Sequence, residues 1–156
     1  MADTPTAGKA APSITLLDQR GEKVKLADLK GQPVLVYFYP KADTPGCTTQ
    51  ACGLRDAAEE IGDTVILGIS PDAPEKLAKF DDKYSLGFTL LSDPDHTVAE
   101  RYGVWGEKSM YGRKYMGIVR SAFLVGADGK VAEAWPKISP KDTPTKLLKA
   151  LAAMDA

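Results

Sequence analysis

The chain has 156 residues, of which 44% are hydrophobic and 26% charged, and its formal net charge at pH 7 is −1. These values fit one soluble globular domain over residues 1–156, large enough to bury a core without disulfides. The balanced charge excludes a global field that would attract nucleic acid or anionic lipid. No apolar run approaches the roughly 20 residues that span a bilayer. We therefore expect small molecules and proteins as partners, with no nucleic acid and no membrane.

The N-terminal part of the chain consists mainly of small and polar residues. Residues 1–10 show neither the basic segment nor the apolar segment of a secretory signal, and we interpret them as a mobile tail. A cytoplasmic, reducing compartment is expected on this basis. Residues 13–18 and 22–26 then predict a β-hairpin at the start of the fold.

The remainder alternates short apolar strands with helical patterns. Residues 33–39 and 64–70 are β-rich apolar runs separated by a helical pattern, which is typical of two buried parallel strands. Beyond them the sequence predicts a helix over 73–86, a strand over 88–91, a short helix near 96–102, hairpin strands near 118–125 and 130–135 around Asp128-Gly129, and a final helix capped by Thr143. The fold class is therefore α/β, with a mixed central sheet flanked by helices on both faces.

The two cysteines of the chain lie close together at a predicted helix start. Thr44 is a good N-cap residue and Pro45 fits the first helical position, which makes Cys47 the third residue of the helix. Unpaired backbone N–H groups and the helix dipole favour a thiolate there. The helix is expected to continue along the apolar positions Ala51, Leu54, Ala58 and Ile61.

An alternative treats Cys47 as a small apolar residue on the buried face of this helix. Cys52 argues for a redox role, because five helical residues place it about 140° away, on the polar side with Asp56 and Glu59. In an intact helix the two Cα atoms would be about 8.7 Å apart, beyond the roughly 7 Å that a disulfide allows. A disulfide between them would require the first turns to unwind.

Several basic residues lie near the end of the sheet pattern. Arg120 interrupts an apolar strand, where it could pair with an anion such as a thiolate or point outward as an ordinary strand arginine. The stretch 105–117 contains Lys108, Arg113 and Lys114, and we expect it to be a solvated surface loop.

Other chemistries have weaker support. A thioredoxin-type motif would have two residues between its cysteines, whereas four intervene here. Two cysteines and one histidine do not complete a zinc site, and we predict no metal or organic cofactor. His96 is the one possible base for a cysteine hydrolase, and a solvated histidine at a helix start is the simpler interpretation.

The pattern Pro40-x-x-x-Thr44-x-x-Cys47 resembles the active-site motif of the peroxiredoxins. Together with the stretches 38–56, 90–95 and 102–125 and the Asp128-Gly129 hairpin, it resembles the peroxiredoxin Q, or bacterioferritin comigratory protein, subgroup over nearly the whole chain. The resemblance implies a thioredoxin-like fold, a peroxidatic Cys47, a resolving Cys52 and an active-site Arg120, with Thr44 and Pro40 as pocket residues. The C-terminal residues 137–151 depart from the Lys-Pro-Lys-Gly-His run that we associate with this subgroup.

We therefore predict a thiol peroxidase that reduces hydrogen peroxide and organic hydroperoxides. Its Cys47 would become a sulfenic acid and condense with Cys52, and thioredoxin, by resemblance, would reduce the disulfide. A monomer is expected. Two alternatives stay open: a thiol-disulfide oxidoreductase acting on protein disulfides, and a redox-sensing binding module.

Overall fold

The computed structural model describes residues 4–154. Within them the chain forms nine β-strands, five α-helices and one 3-10 helix over Leu26–Leu29. In chain order the strands and α-helices are β1 (Thr15–Asp18), β2 (Lys23–Lys25), β3 (Val34–Phe38), α1 (Pro45–Asp56), α2 (Ala58–Ile61), β4 (Val65–Ser70), α3 (Pro74–Tyr84), β5 (Thr89–Ser92), α4 (Thr97–Arg101), β6 (Trp105–Met110), β7 (Arg113–Ile118), β8 (Ser121–Val125), β9 (Val131–Trp135) and α5 (Thr143–Met154).

Seven of these strands form one mixed sheet in the order β2-β1-β5-β4-β3-β8-β9. The pairs β3–β4 and β4–β5 are parallel, and the other neighbouring pairs are antiparallel. Strands β1 and β2 form the predicted N-terminal hairpin. All five residues of β3 are buried, because this central strand is covered on both faces and its sequence is continuously apolar. The α/β class and the mixed sheet are confirmed.

Two apolar clusters cover the two faces of the sheet. One contains Leu35 and Tyr37 of β3 and packs against α1, α3 and α5. The other contains Val36 and Phe38 of the same strand and packs against α4 and the end of β7. Successive side chains of a strand point to opposite faces, which explains the split. The first cluster includes Cys47, so the helix that carries both cysteines lies on this face.

The segment 105–118 differs from its prediction as a surface loop. Strands β6 and β7 pair in antiparallel fashion and form a separate two-stranded sheet. Their turn contains Tyr111 and Gly112, both with positive φ, of 51° and 79°. Such a turn suits the twist of a two-residue hairpin. The charged residues of this segment conceal its β-pairing in the sequence.

Helix boundaries also differ at two places. The predicted helix through Ile61 is interrupted at Ala57, where ψ is 6°, so Ala57 is buried and Ala58 is exposed. At the other end of the chain, Thr143 is the first residue of α5 rather than its cap. The carbonyl of Asp142 accepts the first helical hydrogen bond, from the N–H of Lys146 at 3.0 Å.

Part of the predicted tail is held by hydrogen bonds. The N–H of Gly8 donates to the carbonyl of Val131 at 2.8 Å, and Ala10 forms a bridge with Lys130. Residues 1–3 of that prediction lie outside the described residues. Among residues 4–154, no helix has the length and apolarity needed to cross a membrane.

Candidate active site

The site lies where β3 ends and α1 begins. Pro40 follows β3 and is partly buried, and Thr44 caps α1 with extended backbone angles of −93° and 157°. The carbonyl of Thr44 accepts a hydrogen bond from the N–H of Thr48 at 2.8 Å. Cys47 is therefore the third residue of the helix, as the sequence predicts, and its side chain is 1% exposed.

A guanidinium group contacts the Cys47 thiol. Arg120 Nη2 lies 3.3 Å from Cys47 Sγ, and Arg120 Nη1 donates to Gln50 Oε1 at 2.8 Å. The sequence predicts Arg120 inside a strand, but the residue lies in the short break between β7 and β8. Leaving the sheet there frees its side chain from the strand alternation and directs it toward α1. An arginine in this position would form a charge-assisted hydrogen bond to a thiolate.

Sequence reasoning missed two buried polar residues behind this pair. Gln50 and Thr143 are 0% and 1% exposed, and Gln50 Nε2 donates to Thr143 Oγ1 at 3.0 Å. Gln50 had a signal in the sequence, because a polar side chain three residues after Cys47 interrupts the apolar face of α1. Thr143 is 93 residues away and had no such signal.

The Thr44 hydroxyl makes a different contact from an ordinary helix cap. It donates to the carbonyl of Lys41 at 2.8 Å and forms no side-chain cap hydrogen bond with α1. This bond uses the single hydroxyl proton, and the oxygen keeps lone pairs that can accept from another donor.

Cys52 is less exposed than its predicted position on the polar side of α1 implies. It is partly buried and packs against the same apolar cluster as Cys47. Both thiols are free, and α1 is helical from one to the other. A disulfide would therefore need α1 to unwind between them, as the helix geometry predicts.

Two buried tyrosines line the floor beneath α1. Tyr37 and Tyr39 stack with ring centroids 5.5 Å apart, and both are at most 1% exposed. Burial, with smaller contributions from the nearby Tyr39 and Cys47, raises the pKa of Tyr37 well above its ordinary value. Its hydroxyl has no hydrogen-bond partner within residues 4–154. The phenol stays neutral and places no competing negative charge near the cysteines.

Lys108 belongs to the site region rather than to a solvated loop. Its ammonium donates to the carbonyl of Ile118 at 2.8 Å and lies 6.0 Å from the ring centroid of Tyr115. Burial, followed by the charge of Arg120, lowers the pKa of Lys108, while Cys47 opposes this shift. Arg113 and Lys114 are exposed, as expected.

His96 is engaged elsewhere. It caps α4, and its ring stacks on Trp105 with centroids 3.8 Å apart and an interplanar angle of 2°. Its Nδ1 lies 3.6 Å from Glu100 Oε2. The hydrogen-bond partner of Cys47 is Arg120 and not this histidine, so the geometry does not support a cysteine hydrolase.

Neither the metal-ligating side chains of residues 4–154 nor the cavity at the far end of β3 adds a group to this site. In the described part of the chain, no group of three or more His, Cys, Asp or Glu residues could hold a metal ion. A cavity of about 340 Å³ includes Val34 and Val125 in its lining, at the opposite end of β3 from Cys47.

The chain is similar to known proteins of one family. Residues 7–134 match the model of the AhpC/TSA family. The chain belongs to this family and is a peroxiredoxin. Over 127 residues it is 60% identical to Peroxiredoxin Bcp of Escherichia coli strain K12, covering 80% of this chain and 81% of the relative. Over 149 residues it is 46% identical to Peroxiredoxin Bcp of Bacillus subtilis strain 168, covering 94% and 95%.

Solved structures of other peroxiredoxins share the fold. A structure of the Xanthomonas campestris bacterioferritin comigratory protein, described for its alkyl peroxide reduction activity, has a TM-score of 0.88 and 32% identity, covering 96% of this chain and 99% of that one. A cysteine-to-serine variant of Xylella fastidiosa PrxQ has a TM-score of 0.91 and 26% identity, covering 100% of both chains. This peroxiredoxin therefore has the thioredoxin-like fold, and its class is that of thiol peroxidases, which use a peroxide and a thiol reductant.

Proposed function

We propose that Cys47 is the peroxidatic cysteine of this enzyme. The observation that carries the proposal is the 3.3 Å contact between Arg120 Nη2 and Cys47 Sγ in the first turn of α1. A guanidinium and a helix N-terminus both stabilise a thiolate, which is the nucleophilic form of cysteine. The substrates are hydrogen peroxide and organic hydroperoxides.

In the first step the Cys47 thiolate attacks the terminal oxygen of the hydroperoxide. The S–O bond forms as the O–O bond breaks, and the sulfur loses two electrons to become a sulfenic acid. The leaving oxygen takes a proton and departs as water or an alcohol. Arg120 and the first-turn N–H groups stabilise the negative charge that builds on the peroxide oxygens.

The other pocket residues have supporting roles. The Thr44 hydroxyl donates to Lys41, so its oxygen can accept a hydrogen bond from the peroxide and orient it. Pro40, at the end of β3 and partly buried, limits access of water to the thiol.

In the second step Cys52 acts as the resolving cysteine. Its thiol attacks the sulfur of the sulfenic acid, a disulfide forms and water leaves. This reaction requires the turns of α1 between the two cysteines to unwind. Gly46 and the β-branched Thr48 and Thr49 are weak helix formers, which lowers the free-energy cost of unwinding.

An external dithiol then returns both cysteines to the reduced state. We propose thioredoxin for this role and the cytoplasm as the compartment, because a dithiol reductant of that kind operates there. Both cysteines lie on one helix of one chain, so the cycle needs no second copy, and we propose a monomer.

Intact mass after one equivalent of hydrogen peroxide tests the proposal. We expect the reduced wild type to lose two hydrogens as its disulfide forms. Cys52→Ser should retain one added oxygen as a trapped sulfenic acid, and Cys47→Ser should not react. If both thiols instead stay reduced with peroxide while a protein disulfide oxidises them rapidly, the enzyme is a thiol-disulfide oxidoreductase. Steady peroxide turnover with thioredoxin would contradict a role limited to sensing.

A further inference from the structure

A chain of hydrogen bonds continues from the active-site arginine to the start of α5. Arg120 donates to Gln50, Gln50 donates to the Thr143 hydroxyl at 3.0 Å, and that hydroxyl donates to the carbonyl of Ser139 at 2.9 Å. Gln50 and Thr143 are fully buried, so water does not compete for these bonds.

The direction of the chain fixes the side-chain amide of Gln50. The Thr143 hydroxyl has one proton and gives it to Ser139, so toward Gln50 it can only accept. The NH₂ group of the amide must therefore face Thr143, which turns the amide oxygen toward Arg120. A guanidinium can only donate, and this orientation gives it an acceptor. If the amide were flipped, its NH₂ group would face the donor Arg120, and its oxygen would face the Thr143 oxygen, which has no proton left to donate.

Residues 139–144, which we call the clamp segment, contact α1 on both sides of Gln50. A Cβ added at Gly46 would lie 3.4 Å from Pro140 Cγ, and one added at Gly53 would lie 2.9 Å from Pro144 Cγ. The clamp segment therefore lies along α1 over the length that contains both cysteines. Close approach of this kind is possible because glycine has no side chain.

We propose that Thr143 is a positioning residue for peroxide reduction, which holds Gln50, and through it Arg120, in place against Cys47 while keeping α1 helical. This inference rests on the proposed roles of Cys47 and Cys52. Because Gln50 lies between the two cysteines, unwinding of α1 pulls it away from both Arg120 and Thr143. Thr143 thus favours peroxide attack and opposes disulfide formation, which are opposite effects on two successive steps.

Thr143→Val tests the proposal, because valine keeps the shape and removes both hydrogen bonds. Reduced protein is mixed with hydrogen peroxide and quenched with an alkylating reagent at a series of times. The intact masses of the samples give the rates of sulfenic acid formation and of disulfide closure. We expect attack to slow about tenfold, the effect of losing one buried hydrogen bond on the transition state. Disulfide closure should accelerate by up to about tenfold, because a hydrogen bond that keeps α1 helical is lost.

Two matched variants serve as controls. Thr145→Val changes an exposed threonine of the same helix and should keep both wild-type rates. Thr143→Ser retains the hydroxyl and should also restore both. If Thr143→Val matches Thr145→Val, or if both of its rates fall together, the positioning role is wrong.

A second variant covers loss of folding, which urea unfolding would reveal. Gln50→Leu removes the hydrogen bonds of Gln50 to Arg120 and Thr143. Like Thr143→Val, it should slow peroxide attack and accelerate disulfide closure. In its background Thr143→Val should have no further effect on the ratio of the rates, and an additive effect would overturn the proposal. If wild type forms no sulfenic acid, the proposed function fails. If wild type reacts normally and these variants do not separate the two steps, this inference alone fails.

Discussion

Cys47 and Cys52 are five residues apart on one helix and have different surroundings. Cys47 is almost fully buried and lies 3.3 Å from a guanidinium nitrogen, whereas Cys52 is partly buried among apolar side chains. The more buried thiol is therefore the one with a cationic hydrogen-bond donor. If Cys47 attacks and Cys52 resolves, as we propose, then position in the first helical turn and a charged partner, rather than exposure, distinguish the two thiols.

Among the changes that leave Cys47 in place, replacing Cys52, the proposed resolving cysteine, should have the largest effect on turnover. We expect Cys52→Ser to lose steady turnover with thioredoxin, because no intramolecular disulfide can form. Its first oxidation by peroxide should stay within about twofold of wild type, since α1 stays helical during that step. Rapid-mixing kinetics for the first step and a coupled reductase assay for turnover measure the two separately. Equal loss in both would show that Cys52 takes part in the attack itself.

Removing the charged partner of Cys47 comes next. Arg120→Met should slow peroxide attack by about 10² to 10³, the range seen when one preorganised donor to a developing charge is lost. The exposed Arg113→Met is the matched control and should react like wild type. An unchanged rate in Arg120→Met would refute the role assigned to this arginine.

Lys108 should make a smaller contribution from a greater distance. Its ammonium is held by the Ile118 carbonyl, and we expect Lys108→Met to slow attack about threefold through loss of positive potential near Cys47. Lys114→Met, on the exposed side of the same hairpin, should leave the rate unchanged. Attack rates at low and high salt would check this, because the difference should persist for a partly buried charge.

The lowered pKa of Lys108 also predicts a pH dependence of stability. The unfolded chain binds the lysine proton up to a higher pH than the folded chain does, so between the two pKa values unfolding takes up a proton. The free energy of unfolding contributed by this group therefore rises with pH across that window. Urea unfolding of wild type and Lys108→Met should show a steeper rise in the wild type. Parallel curves would contradict it.

The smallest expected effect concerns the floor that both cysteines share. Tyr37→Phe removes a buried hydroxyl without a described partner, and we expect it to raise the free energy of unfolding by about 1 kcal/mol. The attack rate should not change. Tyr102→Phe is the matched control, because its hydroxyl donates to the Pro12 carbonyl at 2.8 Å, and it should lower stability by about the same amount. A slower attack in Tyr37→Phe would mean that the floor, and not only Arg120, activates Cys47.

Local chemistry was enough to predict the helix that carries the cysteines. Pro45 fits the first helical position through its fixed φ, the Thr44 carbonyl accepts the first helical hydrogen bond although its hydroxyl does not cap the helix, and the position of Cys47 follows by counting. The buried strands were predictable because β3 is continuously apolar and β4 is apolar up to Ser70. The hairpin of β6 and β7 was missed, since its charged and exposed residues do not show a clean alternation.

The sequence by itself determined the α/β class, the place of both cysteines on one helix and the need to unwind that helix before a disulfide can form. These depend on interactions between residues close in the chain and on the periodicity of apolar residues. Only the tertiary structure decided that Arg120 meets Cys47, that Cys52 is partly covered, and that Gln50 is held by Thr143. Those contacts join residues about 70 to 93 positions apart. Such pairs form because packing of the sheet and helices brings them together, which no local pattern specifies.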